Sequence, residues 1–407
     1  MRGTRQPGTP RLLRALNDRA ALELLMTHGP LTRTKLGELT GLSKVTASQL
    51  VERLEERGLV VRVGEVAGSR GPNAALYAVD PTAAYVVGVE VSSESDKVTA
   101  ACADITGAVV GRVEESIRGD DQAVGVVHRA VVRALEQGQA QLSGVRRVVI
   151  GTPGLVDPAS GDIAYVYNLP RWHRGLLSAL REDLRAPVAF ENDVNLAAVA
   201  EARLGAAREA RDFILIWVDV GIGLAVMLDG RLHRGATGAA GEIGFMPVPG
   251  APVVRDPGRR WSPPHSAPDA GTPPAGLDGG FHQLAGLAAV REVARSHGFA
   301  GAGADGVRAA VAAGTAGSAV LDELARRLAL GVACISVVID PPLVVIAGEV
   351  GRAGGMALAE RVQHEVAAIT VVSPRVVPTE VGAEPVLTGA LHTALAAARD
   401  EVFGATS

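Results

Sequence analysis

The first residues that could do chemistry lie close together near the front of the chain: Lys44, Thr46, Ser48 and Gln49. Short donors and acceptors on the first exposed turns of a helix can reach base edges in the major groove of DNA. Arg70 lies in a stretch rich in Gly, Ser and Pro, from which a guanidinium could reach a phosphate or the minor groove. These five side chains are therefore predicted to bind DNA.

The elements around these residues have the order of a winged helix-turn-helix domain, which we place at residues 1–80. A first run with apolar residues at helical spacing ends at a Gly-Pro pair. Gly41 closes a second, short helix, and Ser43 is the predicted N-cap of the third helix, which holds the polar set. Two alternating stretches, 59–63 and 75–79, are predicted as the strands of a wing around the Gly-rich tip.

The alternative is a small helical domain whose third helix contacts protein. In that case Ser43 is only a helix cap, and the glutamates at the end of the helix form a solvated face. Charge favours DNA, because residues 1–72 hold twelve Lys and Arg against seven Asp and Glu, a net +5 within a chain of net charge −4. A basic lobe on an acidic body indicates a polyanion partner.

Length and composition limit the class of protein. A chain of 407 residues with 47% hydrophobic and 21% charged residues can bury two or three cores, which excludes a disordered chain. Two cysteines exclude a disulfide scaffold. No stretch offers about eighteen uninterrupted apolar residues, and the basic N-terminus has no apolar signal core. We therefore expect a cytoplasmic protein with no membrane partner.

The pattern of predicted strands and helices changes after the predicted DNA-binding domain. Over residues 81–407, short strands rich in Val and Ile alternate with helices rich in Ala and Leu. This alternation is typical of α/β architecture.

Several stretches of this α/β body resemble the ROK family of bacterial sugar kinases and sugar-responsive repressors. The resemblance begins near Ala83 and implies a two-lobed actin-like ATPase fold, which is ribonuclease H-like; in the repressor branch a winged helix-turn-helix domain precedes it, as here. The stretches are IGTPGLVDPASG, NLPRW, ENDVNLAAVAEARLG, DGRLHRGATGAAGEIG, DPPLVVIAGEVG and EPVLTGAL.

Two departures from the kinase pattern concern the turns that wrap nucleotide phosphates with backbone amides. The family's first turn resembles Asp-x-Gly-Gly-Thr, whereas residues 90–94 here read EVSSE. The second is usually Gly-Thr-Gly-x-Gly, whereas residues 219–223 read DVGIG. Both glycines of the first turn are lost and extra carboxylates would face a triphosphate, which disfavours binding. We therefore predict no phosphoryl transfer, no enzyme activity and no cofactor.

The residues that match the family's sugar-binding site are closer to the family pattern than the phosphate-binding turns are. Polyols are held by carboxylates and amides, and the residues that match the family's sugar contacts are Asn168, Asn192, Asp193 and Glu242. The alternatives are helix N-caps at Asn192 and Asp193 and a solvated turn acid at Glu242. Because no phosphates are expected, Asp193 would accept a hydrogen bond instead of acting as a base.

The family's zinc loop is predicted to be absent. Phe245 stands at the family's histidine position, and residues 247–280 contain no cysteine but nine Pro and six Gly, which favours an extended loop. Cys102 and Cys334 are predicted to be small buried residues. Gln283 falls near the position where the resemblance places a sugar-contacting glutamate, so with Phe245 two contacts are expected to be altered.

These features predict a DNA-binding transcriptional regulator, a repressor of carbohydrate-related genes whose ROK body serves for sugar sensing and dimerisation. A homodimer or a dimer of dimers would bind a palindromic operator in double-stranded DNA, with a sugar or sugar phosphate as effector. One alternative is an ATP-dependent hexose kinase with an added DNA-binding head. The other is a regulator that uses the ROK body only for oligomerisation.

Overall fold

A computed structural model of the chain describes residues 10–67, 73–92, 96–117, 122–165, 175–253 and 279–404. The N-terminal part contains three helices and a small antiparallel sheet with the strand order β1-β3-β2. Its elements are α1 (Pro10–His28), β1 (Leu31–Thr32), α2 (Arg33–Thr40), α3 (Lys44–Glu56), β2 (Val60–Val66) and β3 (Ala74–Val79). This is the predicted winged helix-turn-helix, with a longer first wing strand.

Local sequence explains why α2 and α3 begin and end where they do. The side chain of Thr32 accepts a hydrogen bond from the backbone N–H of Lys35 and caps α2, and Gly41 ends that helix with a φ of 72°. Ser43 caps α3 in the same way by accepting from the N–H of Thr46. The buried face of α3 consists of Ala47, Leu50, Val51 and Leu54, as helical spacing predicts.

The first lobe of the body is built on a mixed five-stranded sheet with the order β10-β7-β4-β5-β6. Strands β4, β7 and β10 are parallel, while β4, β5 and β6 are joined as antiparallel neighbours. The strands are β4 (Tyr85–Ser92), β5 (Lys97–Asp104), β6 (Val109–Ser116), β7 (Val145–Thr152) and β10 (Val188–Asn192). Helices α4 (Ala123–Gln137) and α5 (Leu176–Leu184) and a hairpin of β8 (Leu155–Val156) and β9 (Ile163–Tyr165) complete this lobe.

The second lobe repeats the plan with a second five-stranded sheet, ordered β13-β12-β11-β14-β15. Its strands are β11 (Phe213–Val218), β12 (Ile222–Leu228), β13 (Arg231–Leu232), β14 (Leu343–Ala347) and β15 (Arg375–Pro378). The remaining helices are α6 (Asp193–Leu204), α7 (Gly280–Ala285), α8 (Leu287–Ser296), α9 (Asp305–Ala312), α10 (Ser318–Ile339), α11 (Gly348–Ile369) and α12 (Pro385–Gly404). Two α/β lobes of this kind agree with the predicted actin-like architecture.

One hydrophobic core runs from the N-terminal winged helix-turn-helix domain, called the head below, into the α/β body. It joins Leu22 and Leu54 of the head to Val86 of β4, Leu196 of α6 and Leu391 of α12. The last helix of the chain is therefore packed against both parts.

Two sequence-based expectations concern the environment of the chain. No helix of the described residues is long and apolar enough to cross a membrane. Cys102 is buried in β5, as predicted, but the prediction for Cys334 is wrong, because this thiol is exposed on α10. Its neighbours Val337 and Val338 are also exposed, so the C-terminal turns of α10 present an apolar face that helical periodicity alone does not reveal.

Candidate DNA interface and effector cleft

The first two turns of α3 present polar side chains away from the core. Lys44, Thr46 and Gln49 are exposed and Ser48 is partly buried. The Thr46 hydroxyl lies 2.9 Å from the hydroxyl of Ser43, so it is held by the helix cap and has one defined orientation. The structure therefore brings four of the five predicted DNA-binding residues onto one exposed surface of α3, and Arg70 lies outside the described residues.

Sequence reasoning missed Val45, which lies on the same surface. Its side chain is 67% exposed, although a β-branched apolar residue normally favours burial. An exposed methyl-bearing side chain at the start of a recognition helix suits contact with the methyl group of thymine. The sequence could have indicated this exposure, because Val45 follows the cap Ser43 and Lys44 and does not share the helical spacing of the buried face of α3.

A buried carboxylate, also missed from the sequence, holds α3 against α1. Asp18 is 4% exposed. It accepts hydrogen bonds from Arg53, whose Nε lies 3.1 Å from Oδ2, and from Arg57 Nη1 at 3.5 Å. Because the guanidinium groups of Arg53 in α3 and of Arg57 directly after it meet one acid of α1, charge as well as apolar packing fixes the orientation of α3.

Two of the predicted sugar contacts, Asn192 and Asp193, lie where β10 ends and α6 begins. Asn192 is the last residue of β10 and the N-cap of α6: its Oδ1 accepts from the N–H of Asn195 at 3.0 Å. Its Nδ2 donates to the backbone oxygen of Gly154 at 2.9 Å. Both the oxygen and the nitrogen of the Asn192 amide therefore have protein partners, and the residue caps α6, as the alternative interpretation expected. One lone pair of Oδ1 and one N–H of Nδ2 remain for a ligand.

Asp193, the first residue of α6, lies close enough to Glu242 for their charges to interact. Asp193 Oδ1 accepts from the N–H of Val194 at 2.8 Å. Burial, with the nearby charges of Glu242 and Glu90, raises the pKa of Asp193 to about 7. The carboxyl is therefore able to donate as well as accept hydrogen bonds near neutral pH. Asn168, the fourth predicted sugar contact, lies outside the described residues.

An ion pair across the cleft was not foreseen from the sequence. Arg234 donates to Glu191 Oε2 from Nε at 2.8 Å and from Nη2 at 2.5 Å. The other oxygen of Glu191 accepts from Asn195 Nδ2 at 2.9 Å. This ion pair, in which two guanidinium N–H groups share one carboxylate oxygen, fastens the β10–α6 junction to the segment that leads to Glu242. Both residues lie within the family-like stretches, but neither residue type alone indicates its partner.

In the turn of residues 219–223, which matches the family's second phosphate-binding turn, Asp219 accepts backbone hydrogen bonds. Asp219 is 8% exposed. Its Oδ2 accepts from the backbone N–H of Glu349 at 3.3 Å, at the start of α11, and its Oδ1 accepts from Val220 at 2.9 Å. Burial and the charge of Glu349 raise the pKa of Asp219. The carboxylate therefore takes a backbone donor of a helix N-terminus, the kind of group that binds phosphate in a nucleotide site.

The Pro- and Gly-rich segment that stands in place of the family's zinc loop is described only at its two ends. These ends meet, because the N–H of Gly280 donates to the backbone oxygen of Pro252 at 2.8 Å; residues 254–278 lie outside the described ranges. Within those ranges no group of three or more His, Cys, Asp and Glu side chains could hold a metal ion. Gln283 is exposed, whereas His282 is buried beside Gly244 of the Glu242 turn.

Relatives of the chain include two named regulators. The xylose repressor of Bacillus spizizenii is 27% identical over 242 residues, which are 58% of this chain and 61% of the relative. The DNA-binding transcriptional dual regulator NagC of Escherichia coli is 28% identical over 250 residues, 60% of this chain and 61% of the relative. The chain thus spans about three fifths of the length of these relatives.

Solved structures show the same fold. A ROK family transcriptional regulator described as a homologue of the Escherichia coli MLC protein superimposes with a TM-score of 0.72 at 18% identity, covering 96% of this chain and 98% of that one. A ROK hexokinase from Thermus thermophilus gives a TM-score of 0.57 at 26% identity, covering 76% and 97%.

Family models match both parts of the chain. Residues 15–71 match the MarR family, which agrees with the winged helix-turn-helix of the N-terminal part. Residues 87–397, three quarters of the sequence, match the model of the ROK family. The chain belongs to the ROK family.

Proposed function

We propose that this protein is a cytoplasmic, DNA-binding transcriptional regulator that represses carbohydrate-related genes, with a non-catalytic ROK body (residues 81–407) behind a DNA-binding head (residues 1–80). The observation that supports this most directly is the exposed surface at the start of α3, formed by Lys44, Val45, Thr46 and Gln49 on a capped helix. The named relatives are repressors or transcriptional regulators.

On the DNA side, Lys44, Thr46, Ser48 and Gln49 are proposed to meet base edges and phosphates in the major groove. An amide such as that of Gln49 pairs with adenine, and Lys44 suits guanine or a phosphate. Arg70 is proposed to contact the backbone or minor groove from the wing. A dimer or a dimer of dimers places two heads on a palindromic operator about 34 Å apart.

On the effector side, the proposed ligand is a sugar or sugar phosphate held by Asn168, Asn192, Asp193 and Glu242. The supporting observation is that the charge of Glu242 acts on Asp193 and helps to raise its pKa, because a polyol bound beside both carboxyl groups could hydrogen-bond each of them. A tenfold change in operator affinity requires about 1.4 kcal/mol of differential binding between the two shapes.

The body is proposed to lack phosphoryl transfer. Asp219 already takes the N–H of Glu349, and a nucleotide phosphate at that helix end would have to displace a buried carboxylate. Val220 stands where the family has a hydroxyl-bearing residue, and its side chain is exposed. A magnesium–triphosphate complex therefore does not fit the residues present at the second turn.

The test is operator binding by the full chain. Footprinting on the DNA upstream of its own and neighbouring genes is expected to show a protected two-fold site at a stated salt concentration. Adding D-xylose, N-acetyl-D-glucosamine, other sugars and their phosphates one at a time is expected to weaken binding with one of them. Failure to protect any duplex, together with ADP release from ATP and a sugar, would contradict the proposal and favour the kinase.

A second candidate is a regulator that binds no sugar and uses the ROK body only for oligomerisation. It is favoured by the two protein partners of Asn192 and by the changes at Phe245 and Gln283. Thermal-shift measurements distinguish the candidates, because a ligand that binds only the native state raises the melting temperature. No shift with any sugar, combined with intact operator binding, would support the second candidate.

A further inference from the structure

One arginine of the head contacts both the recognition helix and the wing. Arg33 is the first residue of α2, directly after β1. Its Nη2 lies 3.3 Å from Oε2 of Glu55, and its Nη1 lies 3.5 Å from Oε1 of Glu52. Both glutamates belong to the second half of α3. These acids are therefore more than a solvated face, because they tie the recognition helix to the start of α2.

The same guanidinium group lies over an aromatic ring of the wing hairpin, which consists of β2 and β3. Arg33 Cζ is 5.1 Å from the centre of the Tyr77 ring, within the range of a cation–π contact. Tyr77 is buried in β3, where it pairs with Leu31 of β1 and with Arg62 of β2. Because β3 is the central strand of this sheet, a contact to Tyr77 acts on the whole sheet.

Burial of the Arg33 side chain also indicates that it is held in this place. Within the described part of the chain, its Nε is buried and has no hydrogen-bond acceptor. Burying an N–H of a charged group without an acceptor is unfavourable, but the face of an aromatic ring attracts a cation. The stack on Tyr77 therefore offsets part of this cost and keeps the guanidinium between α3 and β3.

The other ionic contacts of the recognition helix connect it to different parts of the protein. Arg53 and Arg57 meet Asp18 of α1. Arg57 Nη2 also donates to the backbone oxygen of Val402 in α12 at 3.1 Å. These contacts hold α3 against α1 and the body, whereas Arg33 holds it against the wing.

We infer that Arg33 is a positioning residue for operator binding: it fixes the wing hairpin relative to α3, so that both reach the same half-site. The inference rests on the proposed function only for its consequence on DNA, because the contacts of Arg33 with Glu55 and Tyr77 need no DNA. The competing explanation is that Arg33 only adds positive charge near the phosphates.

Hydrogen–deuterium exchange of the full chain without DNA tests the positioning itself. In Arg33→Gln, the backbone amides of β3 and of the second half of α3 are expected to exchange about fivefold faster, with those of β14 in the body unchanged. Lys35→Gln is the matched control. It removes one positive charge from the same helix, but Lys35 pairs with Glu38 within α2 at 3.1 Å. Unchanged exchange in β3 of Arg33→Gln would overturn the inference.

A lysine at this position separates positioning from charge. Arg33→Lys keeps the positive charge but lacks the planar fork that meets two carboxylates and stacks on a ring. We expect Arg33→Lys to exchange like Arg33→Gln and to bind the operator about tenfold more weakly than the wild type, the loss of one charge-assisted contact to phosphate. Wild-type exchange and affinity in Arg33→Lys would show that charge alone matters.

A reciprocal variant keeps the test valid if the changes at Arg33 destabilise the whole head. Replacing both Glu52 and Glu55 by Ala leaves the arginine in place and removes its partners on α3. Positioning predicts faster exchange in β3, whereas charge alone predicts unchanged exchange and tighter operator binding, because two negative charges are lost. If the wild type binds no operator, the proposed function fails, but the exchange measurements still decide the role of Arg33.

Discussion

The carboxylate of Asp18 is buried between α1 and α3 and is bound by the guanidinium of Arg53. A buried acid with its partner in place is tolerated, but removing one member leaves an uncompensated group. The Asp18–Arg53 pair, together with Arg57 and the apolar face of α3, therefore helps to fix the orientation of the proposed recognition helix. It also explains why an acid lies on the inner face of α1 beside the buried residues Ala21, Leu22 and Leu25.

Replacing Asp18 by Ala is expected to destabilise the head by about 3 kcal/mol, because Arg53 and Arg57 lose their buried acceptor. The measurement is chemical unfolding followed by circular dichroism. Asp400→Ala provides the control: its pair with Arg19 is exposed, and such pairs contribute about 1 kcal/mol or less. Equal effects of the two changes would show that the burial of Asp18 has no energetic consequence.

Replacing Gln49 by Ala is expected to weaken operator binding about tenfold or more, since one base contact contributes about 1–3 kcal/mol. The melting temperature should stay the same because Gln49 is exposed. Fluorescence anisotropy with labelled operator measures the affinity. Glu56→Ala, an exposed change at the far end of α3, serves as the control and should leave affinity unchanged or slightly higher.

Removing Arg234 is expected to weaken sugar binding while leaving the affinity for the operator unchanged. Arg234→Met leaves Glu191 Oε2 without its guanidinium partner, so the segment leading to Glu242 loses its attachment to the β10–α6 junction. Calorimetric titration with the sugar identified by footprinting measures the loss, expected to be about tenfold or more in affinity. Unchanged sugar affinity in a folded Arg234→Met protein would remove Glu242 from the proposed site.

The pKa of Asp193 predicts a pH-dependent stability. Because the native pKa of about 7 is higher than the ordinary value of 3.8, the folded protein holds this proton more tightly than the unfolded chain does. The resulting stabilisation is present in full below about pH 4 and is lost as the pH rises through 7. Relative to that of Asp193→Asn, the free energy of unfolding of the wild type should fall by about 1–3 kcal/mol between pH 5 and pH 8.

Urea unfolding of both proteins at several pH values measures this difference. Asn is neutral and keeps an acceptor for the N–H of Val194, so the comparison isolates ionisation from the local hydrogen bond. A constant difference across the pH range would mean that Asp193 keeps an ordinary pKa in solution.

ATP turnover is expected to be absent with glucose, xylose or N-acetylglucosamine. The reason is the hydrogen bond from Glu349 to Asp219, which occupies a backbone donor that a phosphate would need. A coupled ADP-release assay tests this, with an active hexokinase added as the positive control. Turnover that rises with sugar concentration and disappears in Asp219→Arg would contradict the non-catalytic assignment.

Local patterns in the sequence determined much of the fold. The caps at Thr32 and Ser43, the αL glycine at position 41 and the buried stripe of α3 depend on neighbours only a few residues away, so they follow from residue type and spacing. The α/β alternation and the ROK stretches likewise identified the body. The exposed Cys334 was missed because period alone does not say which helix faces find a partner.

The contacts that give the candidate sites their properties were decided only by the tertiary structure. Glu191 and Arg234 are 43 residues apart, and Arg57 and Val402 are 345 apart, so nothing local in the sequence links them. The pKa of Asp193 likewise depends on Glu90 and Glu242, which approach it from separate strands and turns. Sequence names the chemical groups, but burial and the distance between charges exist only once the chain has folded.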